Sequence, residues 1–449
     1  MLRTIAHPRT LARRLAADRS GVTAIITGLA LTVLMGFAGL AIDVAAWLNA
    51  TRGMQAAADQ AAYSAALAAG TNSCNSNSAS QQARAVAAAR GYANGVKNTT
   101  VAIACNSSAS TFTVTISQPQ PMWFTKLFLS DAPTASAKAT AMLASKVSDL
   151  CVLALDGTNV ATGFIGSDAS AALMTGSTTL NLRCGIAVDS SHASALSVGG
   201  NASVIATNVY LVGDMQGSPS GSGSISTSPT PNNILKYQPP VVDPYLGRTI
   251  PSLGSCTGST NQTYEANVTL SEGVYCGGLT LGGSQKRTVN LNPGTYYIVG
   301  GSLTINAKAT VIGTGVTFVL TGNMLGQTGY ATLRINGGAT VSLAAPTSGP
   351  LGGLAFFQDR NAPFSSNSNC GNGNAQNKIN GGSDQLITGA IYFPNQSLCF
   401  NGNSSTSGAG QCTQIIARTL DFTGNSDVRL SCAGTGIEPL SVLVPQLVK

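Results

Sequence analysis

The pattern of hydrophobic and polar positions divides the chain into three stretches. The first stretch, Val22–Ile42, has no charged residue over 21 positions and reads "VTAIITGLALTVLMGFAGLAI". A helix of this length covers about 32 Å at about 1.5 Å per residue, enough to cross a hydrocarbon core of about 30 Å. The alternative to a membrane anchor is a cleaved signal peptide, but the run is longer than the apolar core of such a peptide. The pattern predicts one membrane-spanning helix over 21–47.

Alanine dominates the second stretch. Nine of the fifteen residues from Gln55 to Ala69 are Ala, which favours a helix that continues the membrane span, and Gly70 is a natural stop. A second Ala-rich helix is predicted over 79–92. The alternating segments "TTVAIAC" and "STFTVTIS" then predict strands. Together these elements predict a small α/β module over 48–147.

In the third stretch, short apolar runs alternate with Gly, Asn and Ser corners, and no long amphipathic helix is predicted. The runs are "VLAL", "SVIA", "TVNL", "YYIV", "SLTI", "TFVL", "LAFF", "LITGAIYF" and "QIIARTLDF". They predict a large all-β region in two parts, 148–214 and 255–449. Between the parts, 215–254 is rich in Ser, Pro and Gly and is interpreted as a linker or as a surface insertion.

One nine-residue unit recurs within this β region. "LTINAKATV" from Leu303 is matched by "LSVGGNASV" from Leu196, "LRINGGATV" from Leu333 and "LDFTGNSDV" from Leu420. Gly and Asn tolerate the positive φ that a sharp corner needs. Stacked bent units would bury Leu, Ile and Val in one long core, although the copies have no strict period. An irregular right-handed β-helix is favoured; the alternative is a β-sandwich or Greek-key barrel.

Charge is sparse and unevenly placed. Charged residues make up 9% of the chain, against about 25% in an average soluble domain, which suits an extracytoplasmic protein. Five arginines and one aspartate within 1–20 form a basic tail that contributes +4 of the net +7. The positive-inside rule therefore predicts a cytoplasmic N-terminus and a C-terminal bulk outside. No basic stripe with interleaved aromatics occurs elsewhere, so nucleic acid is not an expected partner.

All ten cysteines follow the predicted span. None forms a C-x-x-C pair and the chain has two histidines, so a zinc site is not expected. An even number on one side of a membrane predicts disulfides in an oxidising compartment, with buried free thiols as the alternative. Pairs Cys74–Cys105, Cys151–Cys184 and Cys256–Cys276 are plausible, but the connectivity stays open. The candidates are Cys74, Cys105, Cys151, Cys184, Cys256, Cys276, Cys370, Cys399, Cys412 and Cys432.

Small residues recur every fourth position within the predicted span. Ala24, Gly28, Thr32 and Gly36 lie on one helix face. Small residues at this spacing let two backbones approach closely in lipid. They predict a face for helix packing; the alternative is that Gly and Ala are simply common in membrane spans.

Candidate chemistry is scarce. Asp156 follows an apolar strand with Thr158 two positions on, as in the metal site of von Willebrand A-type domains, but Val160 takes the third ligand position and cannot coordinate a hard cation. His7 lies in the basic tail and His192 in a Ser-rich turn. The carboxylates of the second half are scattered, including Asp421 and Asp427 within one repeat copy. We therefore expect no enzyme, no cofactor and no metal site.

A family resemblance covers residues 18–145. "DRSG", then "GLAIDVAAWLNATRGMQAAADQAAYSAALAAG", then an apolar hook "WFTKLF" is an order of elements that resembles the TadE/TadG-like family. These are membrane-anchored components of bacterial tight-adherence (Flp) pilus assembly. The resemblance implies a pilin-like module over 48–147, an inner-membrane location with a periplasmic bulk, and other pilus-assembly membrane proteins or pilin-like subunits as partners.

The chain departs from true prepilins in one respect. Those carry Glu five residues after the cleaved Gly, whereas the fifth position after Gly21 is Ile26 and the span holds no Glu. We therefore expect an uncleaved anchor. The expected function is a structural or assembly component of the pilus machine, with an adhesive role toward cell wall or surface polysaccharide. The alternative is a membrane-tethered carbohydrate-binding or carbohydrate-active β-helix protein.

Overall fold

The computed structural model divides the chain into two compact units, 1–144 with 445–449 and 145–444. The residues it describes are 20–69, 77–107, 110–156, 172–175, 179–217, 223–364, 377–380, 383–401, 404–405, 412–423, 426–428, 432 and 434–448.

The first unit is built on one long helix. Helix α1, Ser20–Ala69, is unbroken, so the predicted continuation of the apolar segment into the Ala-rich segment is confirmed. Helix α2, Asn77–Ala89, lies where the second Ala-rich helix is predicted. The two helices bury alanines at helical spacing, which allows close packing. The fully or almost fully buried alanines are Ala57, Ala58, Ala61, Ala62, Ala65, Ala66, Ala79, Ala83 and Ala87.

A four-stranded sheet completes this unit. Strands β1, Thr100–Asn106, β2, Thr111–Pro119, and β3, Thr134–Val147, pair antiparallel, and the C-terminal strand Ser441–Val448 belongs to the same sheet. Strand β2 alternates as its sequence predicts and buries Phe112, Val114 and Ile116 in the core shared with the helices. Short 3₁₀ helices lie at Val96–Asn98 and Thr125–Leu127. Because the last strand returns to the sheet, the second unit is an insertion between two of its strands.

The second unit consists of short strands in three parallel ladders. Within a ladder, most strands pair with the third strand that follows them in the chain. Ladder A contains Gln262–Tyr264, Leu279–Leu281, Ser302–Ile305, Thr332–Ile335, Asn377–Asn380, Ala172–Thr175, Leu196–Val198 and Met215–Gly217. Ladder B contains Val268–Leu270, Arg287–Leu291, Ala309–Thr314, Thr340–Ala344, Ser404–Ser405, Ser426–Val428, Thr179–Leu182, Ser203–Ala206 and Ser224–Thr227.

Ladder C contains Gly273–Cys276, Gly294–Val299, Val316–Thr321, Leu354–Gln358, Leu150–Ala154, Gly185–Val188, Val209–Leu211 and Ile234–Leu235. Two longer strands bend through corners and so join more than one ladder. Ser383–Asn401 contributes to all three ladders, and Thr413–Thr423 contributes to ladders A and C. All nine apolar runs picked out in the sequence form strands of these ladders.

The order of the layers differs from the order of the chain. Thr413–Thr423 pairs with Leu150–Ala154 in ladder C and with Ala172–Thr175 in ladder A. The layers therefore run from 262 to 428 and continue into 150 to 235. The two β parts distinguished in the sequence share their ladders. The segment 215–254 is interpreted from the sequence as a linker or insertion. Its first part contains the last strand of each of the three ladders.

The nine-residue unit connects ladder A to ladder B. Its first Leu lies in a strand of ladder A and its final Val in the next strand, which belongs to ladder B. In register, Leu303 lies on Leu333 in ladder A, and Val311 lies on Val341 in ladder B. The corner between them is also repeated, since the Asn336 side chain donates to that of Asn306 at 3.2 Å. Asn side chains at this corner therefore satisfy one another from layer to layer.

In-register pairing also stacks aromatic rings inside the core. Tyr275, Tyr296, Phe318 and Phe356 follow one another through four layers, with ring centroids 6.0, 5.5 and 5.6 Å apart. These separations suit offset or edge contacts between rings. The rings are buried together with the inward Leu, Ile and Val residues in one continuous core cluster.

A segment without strands, 238–254, runs back along ladder C and is called the return segment here. It connects Ile234–Leu235, at one end of the stack, with Gln262–Tyr264, at the other. Val241 and Tyr245 are buried against the outer side of ladder C, in a cluster that includes Leu354 and Tyr392. The Val241 N–H donates to the Asp189 carboxylate at 2.9 Å.

Asp243 anchors the middle of the return segment. Its carboxylate pairs with Arg360 at 2.9 Å and accepts a hydrogen bond from the Tyr392 hydroxyl at 2.7 Å. Burial raises the pKa of Asp243, while Arg360 opposes that shift. Burial also lowers the pKa of the Arg360 guanidinium, which lies 5.2 Å from the Tyr392 ring centroid. Near the end of the segment, Arg248 forms a 2.9 Å ion pair with Glu438. The ion pairs therefore tie the segment down.

Removing one inward side chain tests the stacking. Leu303→Ala should lower the free energy of unfolding by about 2–5 kcal/mol, because it leaves a cavity in a fully buried ladder position. Ile312→Ala, on the exposed side of an adjacent strand, should change it by about 0.5 kcal/mol or less. The urea midpoint of the full chain, followed by far-UV circular dichroism, measures both. Equal shifts for the two variants would contradict the assigned inward and outward faces.

A second variant tests the return segment. Asp243→Ala should destabilise the protein by about 3 kcal/mol, because Arg360 is left largely buried without its partner. It should also speed tryptic cleavage after Arg248. Asp214→Ala is the matched control, since Asp214 pairs with Lys236 at a surface position 2.6 Å apart and should leave that cleavage unchanged. Unaltered cleavage in Asp243→Ala would show that the segment is held by other contacts.

Candidate functional site

Asp43, directly after the uncharged run Val22–Ile42, organises the site. Its side chain is fully buried, and its carboxylate accepts hydrogen bonds from the N–H groups of Trp123 at 3.2 Å, Phe124 at 2.9 Å and Thr125 at 2.7 Å. The Thr125 hydroxyl also donates to it at 2.7 Å. Those N–H groups open the 3₁₀ helix Thr125–Leu127, whose first donors have no partner within that helix. One carboxylate of α1 therefore fixes the β2–β3 connection.

The connection over 121–129, "PMWFTKLFL", is called the hook. Gly39, one turn before Asp43, lets it approach closely: a Cβ on Gly39 would lie 2.6 Å from Cγ of Phe124. One turn after Asp43, the Trp47 indole N–H donates to the Pro121 carbonyl at 2.9 Å. Three residues at a spacing of four therefore hold the hook along one face of the helix.

The hook is apolar and exposed. Its large side chains Trp123, Phe124, Leu127, Phe128 and Leu129 are 58, 45, 82, 75 and 44% exposed. Between hook and helix lies a groove of about 520 Å³. Its lining residues are Thr32, Val33, Gly36, Phe37, Leu40, Trp47, Thr125, Phe128 and Leu129. The exposed apolar surface of the helix therefore continues onto the hook.

Two of the predicted helix-packing residues belong to this groove. Thr32 and Gly36 line it, and the Thr32 hydroxyl donates to the Leu29 carbonyl at 2.7 Å. A Cβ on Gly28 or on Gly36 would meet nothing within 4 Å. The side chain of Ala24 lies outside the described residues. Packing of this face against another helix stays a prediction.

Disulfides whose two cysteines both lie in the described residues are Cys151–Cys184, Cys256–Cys276 and Cys412–Cys432. The first two are pairs proposed from the sequence. Cys105 and Cys399 are also disulfide-bonded. Cys74, suggested as the partner of Cys105, and Cys370 lie outside the described residues.

His192 and Asp156, two candidate polar residues of the second unit, form contacts with neighbouring side chains. His192 is held in its turn by Ser194, with 2.9 Å between Nδ1 and the hydroxyl oxygen. Asp156 pairs with Arg418 at 3.2 Å, with both side chains largely buried. Thr158 and Val160 lie outside the described residues. Among the side chains that the structure describes, no group of three or more His, Cys, Asp or Glu could hold a metal ion.

The role of Asp43 is not evident from the sequence alone. The available signal was a lone carboxylate at the end of an apolar run, together with an apolar segment that follows Pro121. Nothing in the spacing links the two, since Asp43 and Thr125 are 82 residues apart. Only the antiparallel return of β2 brings the hook back to α1.

Asp43→Ala tests the anchor of the hook. The substitution removes the acceptor of these buried or part-buried N–H groups, so it should destabilise the hook by about 1–3 kcal/mol and speed hydrogen exchange of the amides of Trp123, Phe124 and Thr125. Asp131→Ala, an exposed carboxylate just after the hook, is the matched control. Amide exchange by mass spectrometry on the full chain measures both. Unchanged exchange in Asp43→Ala would contradict the role assigned to the carboxylate.

Comparison with known proteins bears on the first unit. Residues 21–69 match the family model described as "Putative Flp pilus-assembly TadE/G-like". No curated protein and no solved structure matches the chain. The matched residues form the greater part of α1, including Gly39, Asp43 and Trp47. The resemblance to the TadE/TadG-like family is therefore confirmed over 21–69.

Proposed function

We propose that the protein is a structural component of a tight-adherence (Flp-type) pilus machine, held in the bacterial inner membrane by α1. The observation that carries the proposal is the family match over 21–69, on a helix that is long and apolar enough to cross a bilayer. Large apolar side chains of this helix are exposed, among them Ile25 at 65% and Phe37 at 67%. Such exposure is costly in water and favourable in lipid.

The proposed orientation places the N-terminus in the cytoplasm, and the residues after the span, including the whole second unit, on the other side. Five arginines precede the span. The disulfides among the described residues all follow it, which suits an oxidising compartment. In this arrangement, the second unit is the part of the machine that faces the periplasm or the cell surface.

For the second unit we propose an irregular right-handed β-helix. Support comes from the parallel pairing of each strand with the third strand after it, and from the passage of each repeat copy between ladders A and B. The hand is that of about 98% of parallel crossover connections. A stack of this kind suits a spacer or an adhesive surface, since its length grows with the number of layers.

We propose no catalytic role. Asp243–Arg360, Asp156–Arg418 and Arg248–Glu438 are charged pairs that join distant segments of the second unit to one another. An enzyme acting on carbohydrate would instead need carboxylates converging on an open groove. Binding of wall or surface polysaccharide by the Ser-, Thr- and Asn-rich surface remains part of the proposed adhesive role.

Deletion of the gene in the bacterium that carries it tests the function. We expect loss of Flp-type pili and of surface adhesion, with both restored by the full chain. Asp131→Ala should complement as well as the unaltered chain, whereas Asp43→Ala should complement poorly because its hook is loosened. Electron microscopy of pili and a surface-attachment assay give the readouts. Normal piliation and adhesion in the deletion strain would refute the proposal.

A further inference from the structure

The hook lies beside the part of α1 that is proposed to cross the membrane. Phe124 packs on Gly39, and Phe128 and Leu129 line the groove with Thr32 and Gly36. At about 1.5 Å per residue, Gly36 lies about 10 Å and Thr32 about 16 Å before Asp43 along the helix axis. The hook therefore extends backward along the span, away from the rest of its sheet. If Val22–Ile42 crosses the hydrocarbon, the side chains of the hook lie at the same depth.

Lipid sets a strict condition on such a segment: its backbone polar groups must be paired within the protein. Six of the eight N–H groups of the hook meet this condition. Asp43 accepts from the N–H groups of Trp123, Phe124 and Thr125. The N–H group of Leu127 donates to the Phe124 carbonyl, and those of Phe128 and Leu129 donate to the Thr125 carbonyl. Most N–H groups of the hook therefore have a protein acceptor in place of water.

The exposed side chains of the hook are also suited to lipid. The most exposed large apolar residues of the hook are Leu127 at 82% and Phe128 at 75%. An exposed patch of this kind costs free energy in water. Trp47 and Trp123 lie near Asp43, where the amphipathic indole suits a membrane interface. Lys126 is the hook's one cation, and its long side chain can reach the interface from a shallow position.

We propose that the hook is inserted into the lipid leaflet nearest Asp43, where it forms a second membrane contact beside the span. The occupant of the apolar hook surface is the acyl-chain region of the bilayer. This inference rests on the proposed membrane anchoring of α1. The hook then sets the depth and the rotation of the helix, because Gly39, Asp43 and Trp47 fix it to one helix face.

Fluorescence quenching tests the insertion directly, because the chain has two tryptophans, Trp47 and Trp123. Both are changed to Phe in the full-length protein, and single reporters are then introduced: Leu127→Trp in the hook, Phe37→Trp in the span and Tyr63→Trp in the soluble part of α1. Tyr63 lies about 30 Å beyond Asp43 along the helix. Each variant is reconstituted in phosphatidylethanolamine–phosphatidylglycerol vesicles with or without brominated acyl chains, and aqueous iodide is the opposing quencher.

We expect the Leu127→Trp reporter to lose as much fluorescence to brominated lipid as the Phe37→Trp reporter and to be shielded from iodide, with Tyr63→Trp showing the reverse. Adding Asp43→Ala should weaken the lipid quenching of the hook reporter, whereas Asp131→Ala should not. If a substituted hook fails to fold, Trp123→Phe keeps the Trp47 anchor, and the lipid quenching lost relative to the unaltered chain is that of Trp123. Circular dichroism checks the fold of each variant.

The remaining outcomes separate the two proposals. Iodide quenching of Leu127→Trp together with lipid quenching of Phe37→Trp would place the hook in water, which overturns the insertion and leaves the anchor standing. Quenching of Leu127→Trp by neither agent would mean that protein, such as a second copy of the chain, covers the hook, which also overturns it. Absence of lipid quenching at Phe37→Trp would remove the anchor and the insertion together.

Discussion

Backbone hydrogen bonding in register is the constraint on which the second unit depends. With few charged residues, the unit draws its order from parallel ladders in which each strand finds its partner in the neighbouring layer. The same register places like on like: Leu303 on Leu333, Val311 on Val341, and Phe400 on Phe422 with ring centroids 5.0 Å apart. Because a shift by one residue would turn every inward side chain outward, burial and pairing specify each other.

In the first unit, backbone N–H groups outside the regular strands also need acceptors, and Asp43 supplies one. Asp43 is a buried carboxylate whose free energy cost is offset by hydrogen bonds from three backbone N–H groups and a hydroxyl. The interaction converts a connection between two strands into a fixed apolar surface beside the helix. Charge is therefore used sparingly in both units, and mainly to secure segments that lack the pairing of a regular helix or strand.

Local features of the fold followed from the sequence because they depend on neighbouring residues. The Ala-rich continuation of α1, the nine apolar runs and the corners of the nine-residue unit all have a period or a composition that is legible over a few positions. The pairs Cys151–Cys184 and Cys256–Cys276 are likewise close in the chain. What could not be predicted joins distant residues: Asp43 with the hook, Asp243 with Arg360, and Leu420 with Ala172.

The permuted order of layers bears on how the second unit is completed during synthesis. The strands from Leu150 to Leu235 emerge first, yet the edge formed by Leu150–Ala154 and Ala172–Thr175 meets its partner only when Thr413–Thr423 arrives. Until then an unpaired edge is open to any other extended chain. The first and last residues of the insertion lie side by side, since the Ser148 N–H donates to the Leu440 carbonyl. A nascent chain of this design would benefit from a chaperone that shields that early edge.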